Sequence, residues 1–246
     1  MAQSAGAFGW CQRIGVTLTL GLFGVAAVQG TYYYSISRLG VGLSILIQYL
    51  APALIVLYEM VRGRFPSSRT WLGVIAAVLG TALLVGGVDH TALHARPLDW
   101  VCGFASAFAF AFYIVFSKRG LSRYHAATVL FYTFAIAGLF WAIVTPPWKI
   151  FGAHYGPGLW LMFLAIGVCS TLLPFALFYG GLRRLRAEET GILATIEPVI
   201  AVVSAALFLG EGLGWIQIFG AFLVLCATLL ASFQAPRDAA ITAERV

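Results

Sequence analysis

Eight apolar runs, at about residues 15–37, 42–61, 70–88, 98–117, 126–146, 158–182, 190–209 and 213–233, occupy almost the whole chain. A hydrocarbon layer about 30 Å thick needs roughly 20 apolar residues per helix, so each run is long enough to be a span. Inside lipid every backbone N–H and C=O needs a partner within the protein, and a run of this length supplies one only as a helix. The expected fold is therefore all-α: a polytopic membrane helix bundle of about eight transmembrane helices, one membrane domain over residues 1–246. Composition supports this, since 61% of the residues are hydrophobic and 10% charged, where soluble domains carry about 25% charge.

The net charge of +6 would suit a nucleic-acid partner, but its distribution excludes one. Basic residues gather in alternate connections: Arg62, Arg64 and Arg69, then Lys118, Arg119 and Arg123, then Arg183, Arg184 and Arg186. Arg13 precedes the first run, and Arg237 and Arg245 follow the last. Only Arg38, Arg96 and Lys149 fall in the other connections, together with Asp89, His90, His94, Asp99 and His154. The positive-inside rule then places both termini in the cytoplasm. The opening MAQSAGAFGWCQR lacks an apolar core followed by a cleavage site, so no signal peptide is expected. Cys11, Cys102, Cys169 and Cys226 stand singly, as small apolar residues rather than disulfide or metal pairs.

An internal repeat runs through the chain. With residues 16–86 set above 162–232 at an offset of 146, Gly21 meets Gly167, Tyr33 meets Tyr179, Leu39 meets Leu185 and Pro52 meets Pro198. After a one-residue slip, Gly73 meets Gly220 and Thr81 meets Thr228. The charges invert between the copies, because the arginine-poor connection around Arg38 corresponds to the one holding Arg183, Arg184 and Arg186. Equivalent helices are five spans apart, an odd number, so the copies are expected to lie upside down relative to each other. Inverted repeats are a hallmark of secondary transporters, with the substrate site near the midplane. The partial first copy covers residues 15–88 and the complete second copy residues 98–233.

Within the second copy, the stretch TGILATIEPVIAVVSAALFLGE sets Glu197 and Pro198 side by side in an apolar run. A carboxyl group at that depth costs a few kcal/mol or more and faces a bundle interior or wet cavity. Pro198 removes a backbone donor and opens the carbonyl ladder one turn earlier. In the first copy Ala51 precedes Pro52, and Gln48 is the nearby polar group.

Residues LFYGGLRRLRAEETGILATIEPVIAVVSAALFLGEGLGWIQIFGAFLVLCATLL resemble the closing half of an EamA-type member of the drug/metabolite transporter superfamily. LGLFGVAAVQGTYYYSISRLGVGLSILIQYLAPALIVLYE is similar to its earlier counterpart. Tyr179, Glu197 with Pro198, Gly210 with Glu211, and Gly220 carry the resemblance. It implies ten helices, as two inverted five-helix halves around a central cavity, in an inner-membrane carrier of amino acids, amines or drug-like solutes working by alternating access, with export commoner than uptake. Here the second half is complete and the first holds its last three helices. The two helices that would precede Gly15 are absent, so the further readings are a misplaced start, a truncated gene, a homodimer or partner chain in their place, or a truncated or structural subunit without transport of its own.

The substrate-binding candidates are Tyr33, Gln48, Tyr49, Pro52, Tyr113, Thr171, Tyr179, Thr195, Glu197 and Pro198, with Tyr32 and Ser170 as further embedded polar residues. Tyrosines offer an apolar face and one donor, which suits amphipathic solutes. Glu197 has two readings: it binds an amine or exchanges a coupling proton, or in protonated form it bonds the backbone that Pro198 opens. Of Tyr32, Tyr33 and Tyr34, one or two face a cavity and the others belong to the interfacial belt, as do Trp71, Trp100, Trp148, Trp160 and Trp215. Gly73, Ala77 and Gly80, and Gly103, Ala107 and Ala111, are packing stripes. No G-x-x-x-x-G-K-[ST] or H-E-x-x-H occurs, which argues against a nucleotide-driven pump or a metalloprotease. No cofactor or metal is expected; the partners are a small solute and membrane lipid. An integral membrane enzyme is the remaining alternative.

Overall fold

The computed structural model describes residues 15–85, 95–209 and 214–232. Cys11, Arg13, Asp89, His90, His94, Gly210, Glu211, Arg237 and Arg245 lie outside them. Eleven helices are found among the described residues: α1 (Gly15–Leu39), α2 (Val41–Gln48), α3 (Ala51–Val61), α4 (Ser68–Val85), α5 (Pro97–Leu121), α6 (Ala126–Val144), α7 (Pro147–Phe151), α8 (Pro157–Arg184), α9 (Ala187–Ala194), α10 (Ile196–Leu209) and α11 (Trp215–Ser232).

Six helices are long and apolar enough to cross a membrane: α1, Val41–Val61 taken across its break, α4, α5, α6 and α8. The remaining two of the eight runs differ from the simple expectation. Run 190–209 is divided at Thr195 into α9 and α10, and Trp215–Ala231 is a shorter apolar helix. Pro198 accounts for the division, since it has no N–H to continue the ladder from the turn before it. Pro52 acts likewise at the start of α3, just after the turn at Tyr49 and Leu50. Proline is well placed in a first turn, where the N–H would be unpaired anyway.

Both α1 and α8 also contain a π-helical segment, Leu20–Ala26 and Ile166–Leu172. These lie at the same offset of 146 that aligns Gly21 with Gly167. Inserted π turns of this kind often occur at functional positions.

Two compact units divide the chain: residues 28–115 with 184–246, and residues 1–27 with 116–183. In the first, α4 and α11 lie against each other at glycines. A Cβ on Gly80 would sit 2.8 Å from the Gly220 carbonyl oxygen, and one on Gly220 would sit 2.6 Å from the Leu84 nitrogen. Helices in lipid associate through such close van der Waals contact, because the hydrocarbon around them is as apolar as leucine. Val74, Ala77, Ala227 and Ala231 extend the seam to Val56 and Ile192. Further along, Leu84, Val199 and Val224 form a second cluster.

The first half of α5 packs at Gly103 against Leu39 and Ile47, with the Ser35 and Ser44 hydroxyls bonded to each other at 2.8 Å nearby. Asp99, read from sequence as an outward acid, is buried at 4% exposure. One of its oxygens accepts the Arg96 N–H at 2.8 Å and the other the Tyr34 hydroxyl at 3.2 Å. It therefore closes the first turn of α5 and ties that turn to α1.

In the second unit α6 packs against the first half of α1. A Cβ on Gly21 would meet Ile136 Cγ2 at 2.6 Å and the Thr133 carbonyl at 3.0 Å. Lys118 Nζ donates to the carbonyls of Leu182 at 2.7 Å and Arg183 at 3.1 Å, capping the end of α8.

Replacing Gly80 or Gly220 by leucine has to push α4 and α11 apart. Thermal unfolding in detergent should show a loss on the order of 1–3 kcal/mol for either variant, the range of overpacking costs. Gly138→Leu, where a Cβ meets nothing within 4 Å, should leave the midpoint unchanged.

Candidate functional site

The two helix breaks meet in the first unit. At the first, α2 ends with Tyr49 N–H donating to the Ile45 carbonyl at 2.9 Å and Leu50 N–H to Ile47 at 3.1 Å. At the second, Thr195 donates twice to the Ile192 carbonyl, through its N–H at 3.1 Å and its hydroxyl at 2.6 Å. Tightened last turns of this kind satisfy groups that a helix end would leave open. The prolines then deprive the Gln48 and Ala194 carbonyls, four residues before each, of a helical donor.

Across these breaks the Tyr49 hydroxyl donates to Glu197 Oε2 at 2.6 Å. The distance is that of a strong charge-assisted bond to a carboxylate. Tyr49 is buried at 4% exposure, and Phe110 stands edge-on to its ring with centroids 6.5 Å apart. Glu197 is exposed, and no cation among the described residues forms an ion pair with it. Its bonded partner is thus the phenol rather than the backbone opened by Pro198. Tyr32 lies within electrostatic reach of both Tyr49 and Glu197. A second crossing holds the breaks together: a Cβ on Gly191 would lie 3.5 Å from Pro52 Cα and 3.3 Å from Ile55 Cδ1, so α9 passes over the start of α3.

The remaining candidates divide. Pro52, Thr195 and Pro198 are buried at the breaks, and Gln48 is half-buried at the end of α2. Tyr113, 2% exposed, stacks on Phe110 at 6.5 Å and stands behind the ring that touches Tyr49. Tyr33 is 62% exposed, with its ring centroid 6.0 Å from that of Tyr32. Thr171 and Tyr179 belong to the other unit. There Thr171 is half-buried in the π segment of α8, and Tyr179 is fully buried with its hydroxyl 3.4 Å from Ser117 Oγ. Phe110 and Gly191 escaped the sequence reading because a phenylalanine or glycine in an apolar helix carries no signal of its own.

The chemistry available is an open carboxylate held by a buried phenol, beside backbone carbonyls without helical donors. Such a set attracts an ammonium group.

The sequence signature of the EamA-like transporter family matches residues 6–86 and 100–233. The chain belongs to that family. An uncharacterized inner membrane transporter, YicL of Salmonella typhimurium strain LT2, is 27% identical over 225 residues, covering 90% of this chain and 74% of its own length. The threonine/homoserine exporter RhtA of Salmonella typhimurium strain SL1344 is 32% identical over 207 residues, 82% of this chain and 64% of its own length. A solved crystal structure, 20% identical, superposes with a TM-score of 0.69 over 92% of this chain and 77% of its own, which shows the fold. This member of the EamA-like family is accordingly a multi-pass bacterial membrane protein and a transporter.

A double-mutant cycle tests the pairing at the breaks. Tyr49→Phe and Glu197→Gln should each destabilise the protein in detergent, and the double variant should fall short of their sum by about 1.5 kcal/mol, the lower range for a hydrogen bond to a charged group. Additive losses would show that the two side chains do not act as a pair.

Proposed function

We propose that the protein is a secondary transporter that exports small amine-bearing metabolites across the inner membrane by alternating access, with both termini in the cytoplasm. The observation that carries this reading is the 2.6 Å bond between Tyr49 and Glu197, which joins two proline-led helix breaks at matching places in the sequence repeat. Broken helices from two repeats are the usual means of building an ion and solute site inside a membrane. The repeats are residues 15–88 and 98–233, inverted with respect to each other. That the family signature matches two separate stretches supports this division, as do the π segments at equal offset.

Glu197 serves as the site's charge. It takes the ammonium group of the solute in one half of the cycle and a coupling proton in the other, while Tyr49 holds the carboxylate in place. Tyr32, Gln48 and Thr195 supply further polar contacts; Tyr33 and Tyr113 remain candidates in the same unit, and Thr171 and Tyr179 in the other. Resemblance to a threonine/homoserine exporter supports hydroxylated amino acids as the first solutes to try. Drug-like amines come next. Catalytic turnover is not part of this reading.

Purified protein in liposomes loaded with labelled threonine should release it faster under an imposed proton gradient than without one. Glu197→Gln should reduce that release about ten- to a hundredfold, the equivalent of losing one charged hydrogen-bond partner. Release unchanged in the Glu197→Gln variant would remove the carboxylate from the mechanism.

A further inference from the structure

Tyr49 makes its hydrogen bond to Glu197 from a place where its own helix gives it little support. It closes α2 with φ −76° and ψ 10°, outside the helical well, in the turn that separates α2 from α3. A side chain in an unbroken helix is steered by the preceding turn and packed by neighbours three and four residues away. At a break that guidance stops. The 2.6 Å bond to Glu197 Oε2 therefore depends on the Tyr49 ring being held from another element.

α5 supplies the hold. Phe110 stands at 87° to the Tyr49 ring with centroids 6.5 Å apart, the edge-to-face arrangement that aromatic rings favour. Phe110 is fixed in its turn by Tyr113, which lies three residues further along α5, is buried, and stacks on it at 12° and 6.5 Å. Seven residues before Phe110, and so on the same face of α5, Gly103 packs against Leu39 and Ile47. One face of α5 thus docks on α2 twice, at Ile47 through Gly103 and at Tyr49 through Phe110. Every residue of this arrangement belongs to the unit of residues 28–115 and 184–246.

We propose that Phe110 is a positioning residue of the solute site: its ring holds the Tyr49 phenol on Glu197, and so keeps the remaining carboxylate oxygen, Oε1, directed at the ammonium group of the solute. The proposal rests on the amine-export reading above and assigns Phe110 an action through Tyr49. An edge-to-face ring pair corresponds to a shift of about two- to tenfold in an equilibrium. Without the ring, the ratio of bonded to free phenol should fall by about that factor. A Phe110 that served packing alone would behave differently, because its loss would be felt equally whether or not residue 49 carries a hydroxyl.

The test places 3-fluorotyrosine at position 49 of the full chain in detergent and follows its fluorine NMR line. Glu197→Gln, which takes away the carboxylate acceptor, should displace the line. The displacement is then measured again in the Phe110→Leu chain, which keeps apolar bulk and loses the ring. Any direct effect of the Phe110 ring on the line is common to both Phe110→Leu samples and cancels. The displacement should be clearly smaller there, in line with the two- to tenfold loss of bonded phenol, and Phe110→Tyr should restore it. Phe108→Leu, at a residue of the same helix that is 61% exposed, should leave it whole. Phe110→Met serves if the leucine chain does not fold. In liposomes, Phe110→Leu should raise the threonine concentration for half-maximal release about two- to tenfold, and should add nothing in a Tyr49→Phe background. The proposal is overturned by a displacement of equal size with and without the Phe110 ring, by no displacement in the starting chain, or by a half-maximal concentration that rises equally in both backgrounds. A chain that releases no threonine fails the export reading, while the fluorine line still decides whether Phe110 positions Tyr49.

Discussion

Lipid offers a helix no hydrogen-bond partners, and this single constraint governs how the chain can be interrupted. An apolar run may break only where the freed backbone groups are met by something else. At Thr195 a hydroxyl and a tightened turn meet them, and at Tyr49 and Leu50 the turn alone does. Each break is followed by a proline that begins the next helix where a missing N–H costs least. The polar groups of the site exist because of these interruptions: unbroken helices would have consumed the carbonyls of Gln48 and Ala194, and Glu197 would have stood alone on an apolar face.

The scaffold around the breaks is held by proximity rather than by hydrophobic collapse. Gly80 and Gly220 bring two backbones into contact, and Gly21 does the same for α1 and α6. Side chains of any size at these points would separate the helices and forfeit the dispersion contacts on which association in lipid depends. Polar ties are used sparingly and near helix ends, as with Asp99 to Tyr34 and Lys118 to the last carbonyls of α8. There, charge or hydrogen-bonding capacity is offset by helix termini that need partners.

Much of this was legible from residues alone. The run lengths announced helices, and the paired prolines announced interruptions. Six of the eight expected spans stand as continuous or nearly continuous helices, while the run containing Glu197 is divided. The site was less legible. Tyr49 was one of several embedded tyrosines, and nothing in its neighbours distinguishes it from Tyr33, which is 62% exposed. Tyr179 shares the family spacing yet is fully buried against Ser117 in the other unit. Side-chain direction on a helix broken by a turn depends on the turn, and periodicity cannot be carried across it.

The sequence by itself determined that this chain is a membrane bundle of helices, because bilayer thickness and backbone pairing translate directly into run length and proline placement. Tertiary structure alone decided which polar groups meet. Tyr49 and Glu197 are 148 positions apart, and Gly191 and Pro52 are similarly distant. Their contacts arise from how helices cross, a property set by glycine seams and turn geometry jointly and by no local pattern of residues.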